Sequence, residues 1–217
     1  MLIDNSNSTI HDATFDSNMA QSGGAMYIRC DNYESCANTI VNSSFINNQA
    51  NVKGGAIYYD FRRPQIINAY FGNNTAIYGP DIGSYAVRVA QANAIDDHIM
   101  LTDVVSGLRY ESIIRLLLVD YDNQVMNLEN TSQIKISPVT QDAKLKGVDS
   151  STLTMGVAEF DGLQFEYYPG ATNVEYIATS NLIDQTKVGY LDLPTNNTIT
   201  VSFRYCKPGE IIVDNTT

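Results

Sequence analysis

The segment Ile10–Ala20 reads IHDATFDSNMA, and its Ile, Phe, Asn and Ala recur at the same spacing in two later segments. These are Ile40–Ala50, which reads IVNSSFINNQA, and Ile66–Ala76, which reads IINAYFGNNTA. The first two copies are 30 residues apart, and the second and third are 26 residues apart. Four positions that recur in three copies indicate one structural unit repeated along the chain.

A glycine turn follows each copy. The first two turns read Gly23-Gly24-Ala25-Met26 and Gly54-Gly55-Ala56-Ile57, whereas the third departs from this pattern as Gly79-Pro80-Asp81-Ile82. Paired glycines suit a sharp corner, because side chains with a Cβ resist positive φ and close backbone approach. Pro80 has no backbone N–H to donate to a further strand, so we expect the repeats to end between Tyr78 and Tyr85.

Repeats of this length predict the coils of a short parallel β-helix of about three coils, in which each coil contacts only its neighbours. Like residues then stack in columns, and burial of each Phe should contribute roughly 1.5–3 kcal/mol. An Asn column can pass hydrogen bonds from coil to coil. The predicted columns are Ile10, Ile40 and Ile66; Phe15, Phe45 and Phe71; and Asn18, Asn48 and Asn74.

The two motifs Phe-x-x-Asn and Gly-Gly-Ala-Met/Ile resemble the repeats of chlamydial polymorphic outer membrane proteins and of similar large surface proteins in ciliates and other protists. The resemblance covers about residues 2–88. It implies a right-handed parallel β-helix at the cell surface, with an adhesive or structural role and no catalytic residues. The richness in Asn and Ile is compatible with a ciliate.

The second half lacks this repeat and contains about seven short strand-like runs separated by turn clusters. The runs are 85–91, 113–120, 133–139, 152–160, 163–168, 174–179 and 199–205. This pattern predicts an antiparallel β-sandwich of immunoglobulin type, although the Cys-Trp-Cys core of antibody domains is absent. The runs 118–123, 156–160 and 168–170 are similar to filamin-type and bacterial immunoglobulin-like repeats. An irregular β extension of the helix is the alternative.

The sequence thus predicts an all-β chain with residues 1–87 as the β-helix and residues 88–206 as the sandwich. Residues 207–217 would be a linker or the start of a cysteine-rich segment. Cys206 lies in Tyr205-Cys206-Lys207-Pro208-Gly209-Glu210, which looks like the start of growth-factor-receptor-like segments. We therefore expect its partner to lie beyond Thr217, in a longer precursor.

The net charge of −11 disfavours nucleic acid and anionic lipid as partners. The longest apolar run, 113–119, is far shorter than the ~20 residues of a membrane-spanning helix, so we expect no direct membrane insertion. The start of the chain has neither the basic residues nor the apolar stretch of a secretory signal.

Cysteines and glycosylation sequons favour an extracellular location at the cell surface. Cys30 and Cys36 have five residues between them and could form a disulfide, whereas two reduced thiols would need a reducing compartment. The sequons begin at Asn7, Asn42, Asn73, Asn130, Asn196 and Asn215, which is a mild excess over chance.

No catalytic, cofactor or metal site is expected, and we predict that the protein is not an enzyme. Asp12 is matched by Asn42 and Asn68 in the other copies, so the repeats form no carboxylate column. The other acidic, basic and histidine candidates are better explained as turns or solvated side chains. These are Arg62-Arg63, Asp96-Asp97-His98, His11, and the Asp120 and Asp122 pair considered for Ca²⁺.

These features predict a structural or adhesive fragment of an extracellular surface glycoprotein. The first coil, near Leu2–Ile10, has no obvious cap, so we expect either upstream sequence or another subunit to cover it. In the second case, self-association into a head-to-tail filament or glycocalyx array is our hypothesis. Other surface proteins and glycans are further candidate partners. One alternative is a carbohydrate-binding adhesin that uses Tyr58, Tyr59 and Tyr70 as sugar platforms. A polysaccharide lyase or hydrolase is the second.

Overall fold

A computed structural model describes residues 1–92, 99–191 and 197–210. The chain is all-β, as predicted, with several parallel sheets. It divides into two compact units. Unit 1 contains Met1–Val87, Leu118–Leu128 and Ile183–Leu193, and unit 2 contains the described residues of Arg88–Leu117, Glu129–Leu182 and Pro194–Thr217.

In unit 1, corresponding short strands from successive repeats pair side by side in several parallel sheets. The strands are β1 (Leu2–Asp4), β2 (Ser8–His11), β3 (Thr14–Asp16), β4 (Met19–Ser22), β5 (Met26–Arg29), β6 (Asn38–Val41), β7 (Ser44–Ile46), β8 (Gln49–Lys53), β9 (Ile57–Tyr59), β10 (Gln65–Ile67), β11 (Tyr70–Gly72) and β12 (Ile82–Gly83). A 3₁₀ turn, Tyr33–Ser35, precedes β6. The sheet orders are β1-β5-β9-β12, β2-β6-β10, β3-β7-β11 and β4-β8.

The strands pair in the register that the sequence repeats require. Ile10 pairs with Ile40 and Ile40 with Ile66, while Phe45 lies between Phe15 and Phe71. Like residues therefore lie one above another, because the 30- and 26-residue offsets return each position to the same point of the winding. The extra residues of the longer offset include the loop that carries Cys30 and Cys36.

Residues with left-handed backbone conformation recur at three positions of each repeat. Short polar residues form two of these columns: Asp12, Asn42 and Asn68 (φ 50–51°), and Ser17, Asn47 and Asn73 (φ 54–56°). Asn and Asp tolerate this conformation because their short side chains can hydrogen-bond locally. At the third corner the column is Gly23, Gly54 and Gly79, with φ between 60° and 65°.

The glycine corner excludes a Cβ for a steric reason as well. A Cβ at Gly54 would lie 2.3 Å from the Ile57 carbonyl oxygen, and one at Gly23 would lie 2.1 Å from the Met26 oxygen. Gly24 and Gly55 are equally restricted, because a Cβ on either would meet a backbone oxygen of the next repeat. The Gly-Gly pair is therefore what allows adjacent windings to approach each other.

The interior of unit 1 is apolar and is built from the repeat positions. Its buried side chains are Ile3, Ala25, Met26, Ile28, Cys30, Cys36, Ile40, Phe45, Ala56, Ile57, Tyr59 and Phe61. Fully buried members come from both the first and the middle repeat, for example Met26 and Phe45.

The strands of the second half are β13 (Ala86–Gln91), β14 (Ile99–Val104), β15 (Ile114–Asp120), β16 (Gln133–Pro138), β17 (Lys144–Lys146), β18 (Ser150–Thr152), β19 (Val157–Phe160), β20 (Gln164–Glu166), β21 (Val174–Ser180) and β22 (Thr198–Phe203). The sheets are β14-β22-β21-β16-β18, β13-β15-β19 and β17-β20. Side chains such as Leu116, Ile136, Phe165, Tyr176 and Val201 are fully buried.

One pair in this half departs from the predicted antiparallel arrangement. Strands β14 and β22 are parallel, with Ile99 opposite Ile199. Parallel neighbours need a long connection between them, and nearly a hundred residues separate these two strands. The prediction of purely antiparallel pairing is therefore wrong for this pair.

Two later segments of the chain belong to unit 1. Leu118–Leu128 continues from β15, and Ile183–Leu193 contains the short helix α1 (Gln185–Val188). The side chain of Asp184 caps this helix by accepting from the Thr186 backbone N–H. The division near residue 87 that we drew from the sequence did not assign these two segments to the first unit.

Candidate assembly surface

The phenylalanine column shows how position in the repeat stack sets burial. The Phe45 ring lies 4.9 Å from Phe15 and 5.1 Å from Phe71, and the three rings are nearly parallel. Phe45 is fully buried, whereas Phe15 and Phe71 are only partly buried. Each outer ring has a Phe neighbour on one side alone and remains partly exposed.

The asparagine column forms a hydrogen-bonded ladder with a direction. The Oδ1 atom of Asn48 accepts from the backbone N–H and the Nδ2 of Asn18, at 3.1 and 2.9 Å. In the same way, Asn74 Oδ1 accepts from the backbone N–H and the Nδ2 of Asn48, both at 3.0 Å. Each amide group also donates to a backbone carbonyl, Asn48 to Phe15 and Asn74 to Phe45.

Asp81 closes this ladder at the third repeat. Its Oδ1 accepts from Asn74 Nδ2 at 2.9 Å, in the place that a further Asn would take. Asp81 stands where the earlier repeats have Ala25 and Ala56, and its backbone oxygen accepts from Ala56 and Ile57 as Ala56 does from Ala25 and Met26. The departure from the Gly-Gly-Ala motif therefore places a carboxylate at the end of the ladder.

The ladder is open at the first repeat. Asn18 is exposed, and among the described residues no group donates to its Oδ1. Strands β1, β2, β3 and β4 are also the last strands of their sheets on this side. Leu2 and Met19 here are 63% and 70% exposed, which leaves apolar surface beside unpaired strand edges.

The segment Leu118–Leu128 covers part of the third repeat. Gln124 Nε2 donates to the Ile82 carbonyl at 2.8 Å, which covers β12, and Asn127 Nδ2 donates to the Ile77 carbonyl at 3.1 Å. The Tyr78 hydroxyl donates to Asp120 Oδ2. Strands β10 and β11 are nevertheless the last strands of their sheets.

Two partly buried contacts fix this segment. The Tyr59 hydroxyl donates to Asp122 Oδ2 at 2.8 Å, and the Arg63 guanidinium pairs with Asp122 Oδ1, also at 2.8 Å.

Asp120 is fully buried, and burial raises the pKa of its carboxyl group, although hydrogen bonds from Tyr78 and the Gln124 backbone offset part of that rise. Burial also raises the pKa of the Tyr59 and Tyr78 phenols far above the usual range.

The cysteine, sequon and histidine residues singled out in the sequence have the following positions in the structure. Cys30 and Cys36 are buried and joined by a disulfide, and Cys206 is a free, exposed thiol. The sequon residues Asn7, Asn42, Asn73 and Asn130 are exposed, while Asn196 and Asn215 lie outside the described residues. Asp96, Asp97 and His98 also lie outside them, and His11 is exposed.

Two of the three proposed sugar platforms are unsuitable. Tyr58 and Tyr59 are buried in β9, so neither can present a ring face to a glycan, and the prediction of exposed rings is wrong for both. Tyr70 is 61% exposed. The structure brings Asp120 and Asp122 close to Tyr and Arg side chains, and in the described part of the chain no three acidic, His or Cys side chains are grouped to hold a metal ion.

The comparison with known protein families identifies one segment. Residues 42–60 match the sequence model of the Chlamydia polymorphic membrane protein repeat, which confirms the resemblance inferred from the Phe-x-x-Asn and Gly-Gly-Ala motifs. No curated protein matches the chain. In the described ranges, no helix is both long and apolar enough to cross a bilayer. The repeat match suggests a protein of the surface or outer-membrane type.

Proposed function

We propose that the protein is a structural part of an extracellular surface protein, in which unit 1 is a short right-handed parallel β-helix. The in-register Ile, Phe and Asn columns and the repeat match at residues 42–60 support this proposal. Unit 2 would be an immunoglobulin-like sandwich that extends the scaffold. On this proposal the protein has no catalytic role.

The functional end of the scaffold is the first-repeat end, formed by β1 to β4. The observation that carries this assignment is the contrast between Asn18, whose Oδ1 has no donor among the described residues, and Asn74, whose amide donates to Asp81. An added Phe-x-x-Asn repeat would supply the missing donors and cover Phe15. We therefore propose that this end receives a further repeat of the same kind.

The direct test is to add one repeat before Met1. A copy of residues 31–60, with its single cysteine changed to alanine, keeps the 30-residue offset and places a Phe and an Asn next to Phe15 and Asn18. We expect the melting temperature of the extended protein to rise, since the added Phe would complete the burial of the partly buried Phe15, and full burial of a Phe contributes at most roughly 1.5–3 kcal/mol.

The matched control is the same extension with Asp in place of its Phe and Ala in place of its Phe-x-x-Asn asparagine. This control should leave the melting temperature near that of the original protein. Equal melting temperatures for the native-sequence extension and the control would contradict the proposal.

A head-to-tail filament is the second candidate, favoured by the third-repeat edges. Strands β10 and β11 are last in their sheets, and Ile67 and Tyr70 expose 38% and 61% of their surface beside them. One copy's β10 and β11 could then pair with β2 and β3 of the next, which would give an open, repeating contact.

Sedimentation velocity over a range of protein concentrations tests this candidate. A filament predicts concentration-dependent growth that is lost in both Met19→Lys and Tyr70→Lys, because each variant blocks one of the two ends. A monomer at every concentration would exclude the filament, while the added-repeat experiment would still test the first-repeat end.

The extracellular location and glycosylation are part of the same proposal. The exposed positions of four sequon residues and the Cys30–Cys36 disulfide support it. Intact mass of the native protein, measured with and without reduction and deglycosylation, should show both the disulfide and attached glycans. A fully reduced, unmodified mass would contradict an extracellular location.

A further inference from the structure

Unit 1 carries an open cleft of about 280 Å³ that the repeat stack does not use. Its lining combines three aromatic rings with three polar side chains. These residues are Asp31, Asn32, Tyr33, Phe61, Thr186 and Tyr190. The volume lies just below the roughly 300–1,000 Å³ of sites for drug-sized ligands, which suits a ligand of one or two small rings.

The rings form an ordered stack that ends at the surface. Tyr33 and Tyr190 are nearly parallel, with ring centroids 5.3 Å apart, and Phe61 packs edge-on against both. The Arg62 guanidinium lies over the Tyr33 ring at 4.7 Å. Tyr190 is the most exposed of the three rings and therefore the one on which a ligand can stack.

Tyr190 is fixed in place yet remains accessible. The residue is 57% exposed, while its backbone N–H donates to the Lys187 carbonyl at 3.2 Å, just beyond α1. Beneath it, Phe61 is buried, and Lys187 donates to the Asp60 carbonyl at 2.6 Å. An exposed ring that its neighbours hold in one orientation loses little conformational freedom when a ligand stacks on it.

The polar lining determines the charge of the ligand. Asp31 supplies a carboxylate that accepts from Asn5 Nδ2 through Oδ2, and Thr186 supplies a hydroxyl that donates to Asp184. Among the described residues, the Tyr33 and Tyr190 hydroxyls have no hydrogen-bond partner and can donate to a ligand. The lining residues include one carboxylate and no cation. Arg62 and Lys187 lie over the Tyr33 and Phe61 rings, but each donates a hydrogen bond to a backbone carbonyl, of Tyr33 and Asp60 respectively, so we expect a neutral ligand to bind better than an anionic one.

We propose that this cleft binds a neutral pyranose ring, such as a hexose or an N-acetylhexosamine, which stacks its apolar C–H face on Tyr190. The carboxylate, amide and hydroxyl groups of the lining would hydrogen-bond the sugar hydroxyls. The aromatic ring would therefore bind the apolar face of the sugar, and the polar groups around it would bind the sugar's edge. The activity goes beyond the scaffold role and is independent of it. It also places the glycan contact away from Tyr58, Tyr59 and Tyr70.

The test uses saturation-transfer NMR on the whole chain, with four methyl glycosides as probes. These are the β-glucoside, β-galactoside, N-acetyl-β-glucosaminide and, as an anionic probe, β-glucuronide. We expect transfer to at least one neutral probe and weaker transfer to the glucuronide. No transfer to any neutral probe, or transfer to the glucuronide alone, would overturn the proposal.

Three variants locate the binding. Tyr190→Ala should weaken binding of the neutral probe by about fivefold or more, whereas Tyr190→Phe keeps the stacking ring, loses only a hydroxyl and should weaken binding less than Tyr190→Ala does. Tyr70→Ala is the control at another exposed Tyr and should bind normally. Melting temperatures show that each variant folds. Normal binding by Tyr190→Ala, or loss of binding in Tyr70→Ala, would overturn the assignment.

Discussion

The middle repeat and the first repeat carry the same residues at the same spacing, yet their environments differ. Phe45 is fully enclosed between two rings, while Phe15 has one Phe neighbour and is partly exposed. Asn48 is buried and hydrogen-bonded to an Asn on each side, whereas Asn18 is exposed. No described residue donates a hydrogen bond to Asn18 Oδ1. The difference shows that a repeat gains its stability from its neighbours rather than from its own sequence.

The largest effect should come from the phenylalanine column. Phe45→Ala should lower the free energy of unfolding by about 3–5 kcal/mol, because it leaves a cavity between two rings. Phe15→Ala should lower it by about half as much or less, since that ring is already partly exposed. Urea denaturation of both variants measures the difference. Equal losses would mean that the two repeats are equally enclosed.

The asparagine ladder should give the next largest effect. Asn48→Ala removes the acceptor for Asn18 and the donor to Phe15 and Asn74, and should cost about 2–3 kcal/mol, because buried polar groups lose their partners. Asn18→Ala should cost about 1 kcal/mol or less. The same denaturation experiment compares them. A larger loss for Asn18→Ala would mean that the first repeat is more enclosed than the middle repeat.

Variants of Asp81 test why the asparagine ladder is closed at the third-repeat end and open at the first-repeat end. Asp81→Ala removes one acceptor from Asn74 Nδ2 and should cost about 1 kcal/mol. Asp81→Asn keeps an oxygen in that place and should be nearly neutral. If thermal melts show the two variants to be equally destabilised, the side-chain oxygen is not what ends the ladder.

The smallest expected effect is a pH dependence at the third-repeat end. Burial raises the pKa of Asp120 above its ordinary value of 3.8. Between pH 3.8 and the raised pKa of the folded protein, the folded state therefore binds more protons than the unfolded state. This contribution to stability therefore falls as pH rises through the folded pKa. Asp120→Asn should remove that fall.

The measurement is the difference in unfolding free energy between wild type and Asp120→Asn as a function of pH, since this difference cancels the other carboxyl groups. The difference should decrease as pH rises above 3.8. An increase would mean that the hydrogen bonds to Asp120 outweigh its burial.

The repeats could be predicted from sequence because each column records one environment three times. Identical Ile, Phe and Asn at fixed offsets leave only one register in which like residues meet. The glycine corner was also predicted, because Gly tolerates positive φ, whereas the two corner columns of Asp, Asn and Ser residues were not.

The second half was less predictable because its strands do not repeat. The single predicted run 152–160 is two strands, β18 and β19, with Met155 and Gly156 between them at positive φ. Strand β14 was not predicted, and its parallel pairing with β22 depends on a contact between distant parts of the chain. Local sequence patterns carry little information on such pairings.

The candidate sites were likewise only partly predictable from the sequence. The open end near Leu2–Ile10 was predicted from the absence of a cap, but the role of Asp81 was visible only as a departure from Ala25 and Ala56. The cleft at Tyr33 and Tyr190 was missed, since 157 residues separate the two rings that stack there. Buried Tyr59 could not be told from exposed Tyr70 by composition alone.

The most direct test of the stacked repeats is a nuclear Overhauser experiment on protein labelled only at its seven phenylalanines. We predict ring-to-ring cross-peaks from Phe45 to both Phe15 and Phe71 and none between Phe15 and Phe71, with a soluble paramagnetic probe broadening the two outer rings more than Phe45. Absence of both Phe45 cross-peaks, or strongest broadening at Phe45, would contradict the account.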